Sequence, residues 1–297
     1  QPMDNRDRLG AEFDGLHFLW RNGVRQIARP RACDRELGIG VYDHVAGQAA
    51  TKAAPGEDDI GQAVRFLTRL KALGESPEAA ALPEASEAGF SLDALLDILH
   101  RRLERLQAVA PESPLQIDLC AFRDERLAPG LERIAQSARV RRNGDGYAPA
   151  ALLEPARRNL SSSDFGFHNA IRRPDGELIF VDFEYFGWDD PAKTVSDFLL
   201  HPAMALDPAR GAEFVAASLD AVGDDDLANR LRAYFPLFGL KWAMIVLNEF
   251  LPGGWTQRLF SGADAENEEE YLHGQLHKAA SFLEGALRAE REFPYGA

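Results

Sequence analysis

Apolar residues recur at helical spacing along most of the chain, which predicts a largely helical protein. Near the N-terminus, a helix is indicated by Leu9, Phe13, Leu16 and Trp20. The clearest apolar stripe follows Ser91, which is placed as its N-cap, and consists of Leu92, Leu95, Leu96, Leu99, Leu103 and Leu106. The same spacing predicts further helices at residues 60–73, 128–140, 211–222, 225–251 with an interruption at Pro236, and 267–292.

Short apolar stretches between turn residues predict a small number of β-strands. Residues 25–34 and 37–47 are expected to form an antiparallel pair. A further strand is predicted at "LIFVD" (178–182), after a hairpin turn at "PDG" (174–176). The small and acidic residues of 75–89 predict a loop. The expected fold class is therefore α+β, with a small strand-containing beginning and a large helical remainder.

Composition narrows the range of partners. The formal charge of −14 disfavours nucleic acid and anionic membranes, which it would repel. It is compatible with a cationic small molecule, and it also simply favours solubility. No apolar run approaches the roughly 20 residues that a membrane span needs, and the first residues do not resemble a signal peptide. Cys33 and Cys120 lie far apart and make no metal-type pair, so a reducing cytoplasm is the expected compartment.

Three polar residues around the predicted hairpin form the strongest candidate site. Asp164 and Asn169 lie five residues apart on one loop, and Asp182 follows thirteen residues after Asn169, at the end of a strand. Because the hairpin folds the chain back, we expect Asn169 and Asp182 to lie close together. An amide oxygen and a carboxylate are ligands that Mg²⁺ accepts, together with water and phosphate oxygens. Asp164 could then accept the proton of a hydroxyl that attacks a γ-phosphate.

These residues resemble the motifs of the aminoglycoside phosphotransferase / choline kinase family, small-molecule relatives of the protein kinases. The family loop normally reads H-G-D-x-x-x-x-N, and its metal-binding Asp lies in I-D-[FW]-E before a G-D-P-like turn. The chain matches with Asp164, Asn169, "DFE" (182–184), "WDDP" (188–191) and the helical Asp197. Residues 41–47, "VYDHVAG", are similar to the interlobe linker, and residues 6–19 are similar to the N-lobe helix.

The resemblance implies a protein-kinase-like, two-lobed α+β fold. Residues 1–47 would be the remnant of a small N-lobe, with the linker at 41–47. Residues 48–297 would be a mostly helical C-lobe, with the catalytic loop at 161–169 and the metal-binding segment at 180–184. The acceptor pocket would be built from the helical segments 75–150 and 235–275.

The resemblance also implies an ATP- and Mg²⁺-dependent phosphotransferase. Its acceptor would be a hydroxyl, or an amine, of an aminoglycoside, amino alcohol or sugar, and the acidity of the chain favours a cationic one. The implied roles are Asp164 as the catalytic residue, Asn169 and Asp182 as metal ligands, Tyr42, Asp43, His44 and Val45 as the adenine-binding linker, and Glu12 as the ion-pair partner of an ATP-anchoring Lys.

Three features depart from the family pattern. Ser162 and Ser163 replace the His and Gly before the catalytic Asp. The first Lys is Lys52, beyond the linker, so the Gly-rich strands and the anchoring Lys are expected upstream of Gln1, outside the chain as given. The spacing from Asp190 to Asp197 is longer than usual, which predicts a local insertion.

Two alternatives follow from the same residues. The first is a catalytically impaired pseudokinase, or a nucleotide- or ligand-binding module, which the missing His and Lys favour. The second is a metal-dependent hydrolase built on the Asp and His cluster of the loop. The motifs G-x-x-x-x-G-K-[ST], H-E-x-x-H, C-x-x-C and G-x-S-x-G do not occur.

Overall fold

The computed structural model describes residues 7–52, 56–204, 206–256 and 268–296. Its α-helices are α1 (Arg8–Arg21), α2 (Asp59–Gly74), α3 (Leu92–Gln107), α4 (Pro114–Phe122), α5 (Ala128–Gly144), α6 (Pro191–Leu200), α7 (Pro208–Val222), α8 (Leu227–Val246) and α9 (Glu268–Arg291). Its strands are β1 (Pro30–Asp34), β2 (Ile39–Tyr42), β3 (Gln48–Ala49), β4 (Asn159–Ser161), β5 (Ala170–Arg172), β6 (Leu178–Phe180) and β7 (Gly187–Asp189). Long helices and few short strands agree with the predicted fold class. In this described part, no helix is both long and apolar enough to cross a lipid bilayer.

The helix termini follow the capping residues of the sequence. As predicted, Ser91 caps α3, its hydroxyl accepting the amide of Ala94 at 3.1 Å. The sequence interpretation missed α4, whose start carries a reciprocal capping box between Ser113 and Gln116. A π-helical turn, Arg123–Leu127, joins α4 to α5.

The predicted interruption at Pro236 is wrong, because α8 runs continuously through this residue. An internal proline removes a backbone hydrogen bond and clashes with the preceding turn, which costs about 3 kcal/mol. Here the neighbours on both sides are buried, namely Tyr234, Phe235, Leu237 and Phe238. Burial of such large side chains contributes about 1.5–3 kcal/mol each, so packing outweighs the local preference.

The described residues divide into two compact units. The first comprises the chain before Gly89, residues 153–227 and the C-terminal residues from Tyr295. It contains the β-strands, which form the antiparallel pair β1–β2 expected from the sequence, the pair β4–β7, and a sheet of order β3-β5-β6. An aromatic cluster fills its centre, with Phe66 lying 4.6 Å from Phe180 and 5.8 Å from Phe165 between ring centroids.

The second unit comprises residues 89–152 and 228–294 and is helical. Helix α9 packs on α4 and α5, and α3 packs on α5. Its buried side chains include Leu99, Leu119, Leu131 and Leu283, each at most 1% exposed. The apolar stripe predicted from Leu92 to Leu106 is the face that α3 buries.

Candidate active site

The β5–β6 hairpin, in the first unit, brings the two predicted metal-binding segments together. Ala170 pairs with Phe180 across the hairpin, and the amide of Val181 donates to the carbonyl oxygen of Asn169 at 2.9 Å. Asp182 is therefore the first residue after the paired part of the hairpin, and it lies beside the loop that carries Asn169. Its φ of +64° is a left-handed conformation, which strains a residue that has a Cβ.

Asp164 is held from both sides by residues of its own loop. The imidazole Nε2 of His168 lies 3.0 Å from Oδ1 of Asp164, and the amide nitrogen of Asn169 donates to Oδ2 at 3.1 Å. Burial alone would raise the pKa of Asp164, but the hydrogen bond and charge of His168, the charge of His201 and the hydrogen bond of Asn169 outweigh it and hold that pKa below its ordinary value. Asp164 is thus ionised and fixed in orientation at neutral pH.

Asp182 lies among other carboxylates. Partial burial, and then the negative charges of Glu184, Asp164 and Glu12, raise the pKa of Asp182 to about 6. The amide group of Asn169 turns its nitrogen toward Asp164, which leaves its oxygen as an acceptor. Oxygen donors and crowded negative charge suit a hard divalent cation such as Mg²⁺, so the residues fit the predicted metal.

Helix α1 contributes Glu12 to the same cluster. Glu12 accepts the hydroxyl of Tyr42 at 3.2 Å and the backbone amide of Phe183. Burial is the main cause that raises the pKa of Glu12, and the charge of Glu184 adds to it. On the same helix, Arg8 donates to Glu184 at 3.3 Å. Both acidic side chains therefore connect α1 to the segment that follows β6.

The predicted adenine-binding linker follows β2, and its residues differ in their hydrogen-bonding partners. The amide of Asp43 donates to the carbonyl oxygen of Arg29 at 2.9 Å, and its carboxylate pairs with Arg31. Neither His44 nor Val45 has a hydrogen-bonding partner for its amide within the described residues. These two amides are available to a ligand, whereas that of Asp43 is not.

The structure adds a histidine, His201, from outside the loop. The rings of His168 and His201 are stacked, with centroids 3.5 Å apart and planes 6° from parallel. Burial, and then the charge of His168, lower the pKa of His201 to about 4, against the opposing charges of Asp164 and Asp197. No local sequence signal links His201 to the loop, since only the tertiary fold brings them together.

The ligand atoms of Asp164, His168 and His201 lie within 4.8 Å of one another, but the stacking disfavours a shared metal. A metal bound to an imidazole nitrogen lies near the plane of that ring, at about 2.0–2.1 Å for Zn²⁺. Two parallel rings 3.5 Å apart have no common in-plane position at such a distance. In this arrangement, therefore, one ion cannot bind both imidazoles, which argues against a metal site that uses His168 and His201 together.

Ser162 and Ser163 occupy the two positions before Asp164 at which the family pattern has His and Gly. Ser162 is buried, and Ser163 has φ +68°, a left-handed conformation that explains a Gly at this position in the family pattern. The amide of Ser163 donates to the hydroxyl of Ser161 at 2.9 Å, in a turn closed without His or Gly.

No family model matches the sequence, and a search of the curated proteins finds no match. Solved structures do match. An ethanolamine kinase of Plasmodium vivax is 11% identical with a TM-score of 0.56, and the match covers 97% of this chain and 74% of that one. An aminoglycoside phosphotransferase of Alicyclobacillus acidocaldarius is 16% identical with a TM-score of 0.51, covering 96% and 83%.

A third match is an amicoumacin kinase solved with AMP-PNP, Ca²⁺ and its ligand, 12% identical with a TM-score of 0.53, covering 95% of this chain and 78% of that one. At such low identity the matches establish the fold and not the activity. The resemblance to this group is confirmed at that level: the chain has the protein-kinase-like fold of the choline kinases and aminoglycoside phosphotransferases.

Proposed function

We propose that the protein is an ATP- and Mg²⁺-dependent phosphotransferase that transfers the γ-phosphoryl group to a hydroxyl of a small molecule. The observation that carries the proposal is the carboxylate pair at the hairpin. Asp164 is ionised and is oriented by His168 and Asn169. Its negative charge acts on the carboxylate of Asp182, which follows the last paired residues of the hairpin. Phosphoryl transfer depends mostly on positioning and on neutralising charge, and this arrangement supplies both kinds of group.

In this proposal Asp164 orients the acceptor hydroxyl and receives its proton. Its lowered pKa makes it a weak base, which suits a reaction in which the bond between the γ-phosphoryl group and the leaving ADP is largely broken before the proton moves. Asn169 and Asp182 would hold Mg²⁺, which when bound neutralises phosphate charge. Glu12, which accepts from Tyr42 and the amide of Phe183, would pair with a lysine that contacts the nucleotide.

The nucleotide base would bind the linker. His44 and Val45 follow β2, and their amides, which have no partner within the described residues, would meet the edge of a purine ring. Tyr42 contributes by fixing Glu12, and Asp43 by fixing the linker to Arg31.

The acceptor is proposed to be cationic or strongly polar. The acceptor pocket is expected from the segments 75–150 and 235–275. Within the second unit, residues 113–116 of the first segment and residues between 249 and 272 of the second line a cavity of about 710 Å³. Its lining includes the aromatic Trp255 and the acidic Glu249 and Glu268, a combination that suits an ammonium group. Residues 257–267 of the expected segment lie outside the described residues.

A second candidate is a nucleotide-binding module without catalytic activity. Glu12 is bonded by Tyr42 and Phe183 in the described part of the chain, not by a lysine. Such a module would bind nucleotide without turning it over.

The test is acceptor-stimulated production of ADP from ATP and Mg²⁺, screened over amino alcohols, aminoglycosides and sugars. We expect at least one acceptor to stimulate ADP release. Asp164→Asn should lower kcat by about 10²–10⁴-fold, the usual contribution of a general base, while nucleotide affinity changes little. Asp182→Asn should remove the dependence on Mg²⁺ together with the activity.

The matched control is Asp175→Asn, an exposed carboxylate at the far turn of the same hairpin, which should retain full turnover. Nucleotide binding without turnover under any acceptor would favour the inactive module. An unchanged kcat for Asp164→Asn would refute its proposed role.

A further inference from the structure

A buried lysine on α6 contacts the residue before Asp164. The side chain of Lys193 is 3% exposed, and its ammonium nitrogen lies 2.8 Å from Oδ2 of Asp189 and 3.5 Å from Oδ2 of Asp197. Its third contact is the hydroxyl of Ser163, at 2.8 Å. An ammonium group has three donors and no acceptor; Asp189 and Ser163 accept hydrogen bonds from it, and Asp197 pairs with its charge.

The charges of this cluster keep Lys193 ionised. Burial alone would lower the pKa of Lys193, but the charges of Asp189 and Asp197 and the hydrogen bond of Asp189 outweigh burial and raise that pKa above its ordinary value. Charge-assisted hydrogen bonds are shorter and stronger than neutral ones. The bond to Ser163 is therefore a stiff link between α6 and the loop.

The hydroxyl of Ser163 fixes the loop in two directions. It accepts from Lys193 and donates to the carbonyl oxygen of Ser86 at 3.2 Å. On the next helical residue, the hydroxyl of Thr194 donates to that of Ser161 at 3.1 Å, and Ser161 accepts the amide of Ser163. The first turn of α6 is thus hydrogen-bonded to the loop at two residues before Asp164, Ser161 and Ser163.

We propose that Lys193 is a positioning residue for Asp164, acting through the hydroxyl of Ser163 and replacing the His and Gly that the chain lacks. The role of Asp164 in phosphoryl transfer is taken from the proposed function. Lys193 itself contacts no substrate. It holds the left-handed Ser163 and so fixes the direction in which the chain enters Asp164.

The first test compares Ser163→Ala with Ser163→Gly. Both remove the hydroxyl, but only glycine relieves the left-handed backbone strain. We expect kcat for ADP release to fall about tenfold to hundredfold in both variants, because small misplacements of a catalytic group have effects of this size. KM for ATP should stay within twofold, and the Tm of Ser163→Gly should be at least that of Ser163→Ala.

The control is Ser196→Ala on the same helix. This buried hydroxyl has no hydrogen-bond partner among the described residues, so its removal should leave kcat unchanged. Full turnover in Ser163→Gly would overturn the proposal, since the link to Lys193 would then be only structural.

The second test is a double-mutant cycle. Asp189→Asn with Lys193→Met removes one positive and one negative charge, so the buried cluster keeps its net charge. If Lys193 acts through Ser163, adding Ser163→Ala to this pair should lower kcat no further. Independent, multiplying losses would contradict the proposed route.

Hydrogen exchange separates this proposal from the proposed function. In Ser163→Ala we expect the amides of residues 162–169 to exchange about tenfold faster, while those of α6 stay protected. If the unaltered protein turns over no acceptor and this change in exchange is seen, the proposed function fails and the positioning stands. Unchanged exchange in the loop refutes the positioning whatever the activity.

Discussion

Two arginine–aspartate pairs in the first unit have nearly the same geometry and opposite surroundings. Arg172 binds Asp59 through two bonds of 2.7 Å, and Arg31 binds Asp43 through bonds of 2.6 and 2.8 Å. In the first pair the side chains are 18% and 2% exposed, and in the second 47% and 43%. The two pairs therefore differ in their exposure to solvent and not in their hydrogen-bond distances.

The two pairs hold two different parts of the candidate site, the metal-binding hairpin and the linker. Arg172 ends β5, three residues after Asn169, and its partner begins α2, so the buried pair ties the metal-binding hairpin to the helical framework. Asp43 lies in the linker, directly after β2, and its pair with Arg31 ties the linker to β1 on the surface, where solvent screens the attraction. Long-range contacts therefore fix the hairpin, whereas local pairing holds the linker.

The largest effect is expected when the buried pair of Arg172 and Asp59 is broken. Arg172→Met leaves the carboxylate of Asp59 buried without its charged partner, which should lower the free energy of unfolding by about 3 kcal/mol. Urea denaturation monitored by circular dichroism would measure this loss. Arg31→Met is the matched control, and we expect no measurable change in its unfolding midpoint. Equal losses in the two variants would show that burial does not set the strength of these pairs.

A smaller effect is expected at Asp182, where function and stability conflict. Its pKa of about 6 in the folded protein lies above the ordinary value of 3.8, so ionisation costs stability when no metal is bound. That cost is absent below pH 3.8, grows as the pH rises to 6, and is complete above pH 6. Asp182→Asn should therefore stabilise the metal-free protein at pH 8.

Because solvent still reaches the side chain of Asp182 and screens its charge, the gain should be only on the order of 1 kcal/mol. Thermal unfolding at pH 3.5 and pH 8 in EDTA measures it, and Mg²⁺ should shift the Tm of the unaltered protein but not of the variant. A gain at low pH that vanished at pH 8 would have the wrong sign for a raised pKa.

The parts of the fold and site that could be predicted are those set by local sequence. The apolar period and Ser91 gave α3, and the turn at "PDG" with its flanking apolar residues gave the hairpin that brings Asn169 beside Asp182. The linker and Glu12 depended on the family resemblance, and their roles remain predictions. The division of the chain at residue 47 also remains a prediction.

The contacts that brace the site could not be predicted, because they join residues far apart in the chain. Lys193 meets Ser163 across thirty residues, and Arg172 meets Asp59 across more than a hundred. His201 likewise reaches His168 only through the fold. A single sequence carries no periodic signal for such pairs, so only their residue types could be noted.

The smallest expected effect concerns the surface of the β1–β2 pair. Leu37, Ile39 and Val41 are 71%, 51% and 48% exposed, so their side chains stabilise the fold little. Ile39→Thr keeps the β-branched shape that a strand favours, and we expect the free energy of unfolding to change by less than about 0.5 kcal/mol. Turnover should also be unchanged. A larger loss of stability would mean that this face is covered in solution, and the β1–β2 strands would then share the buried character of the hairpin.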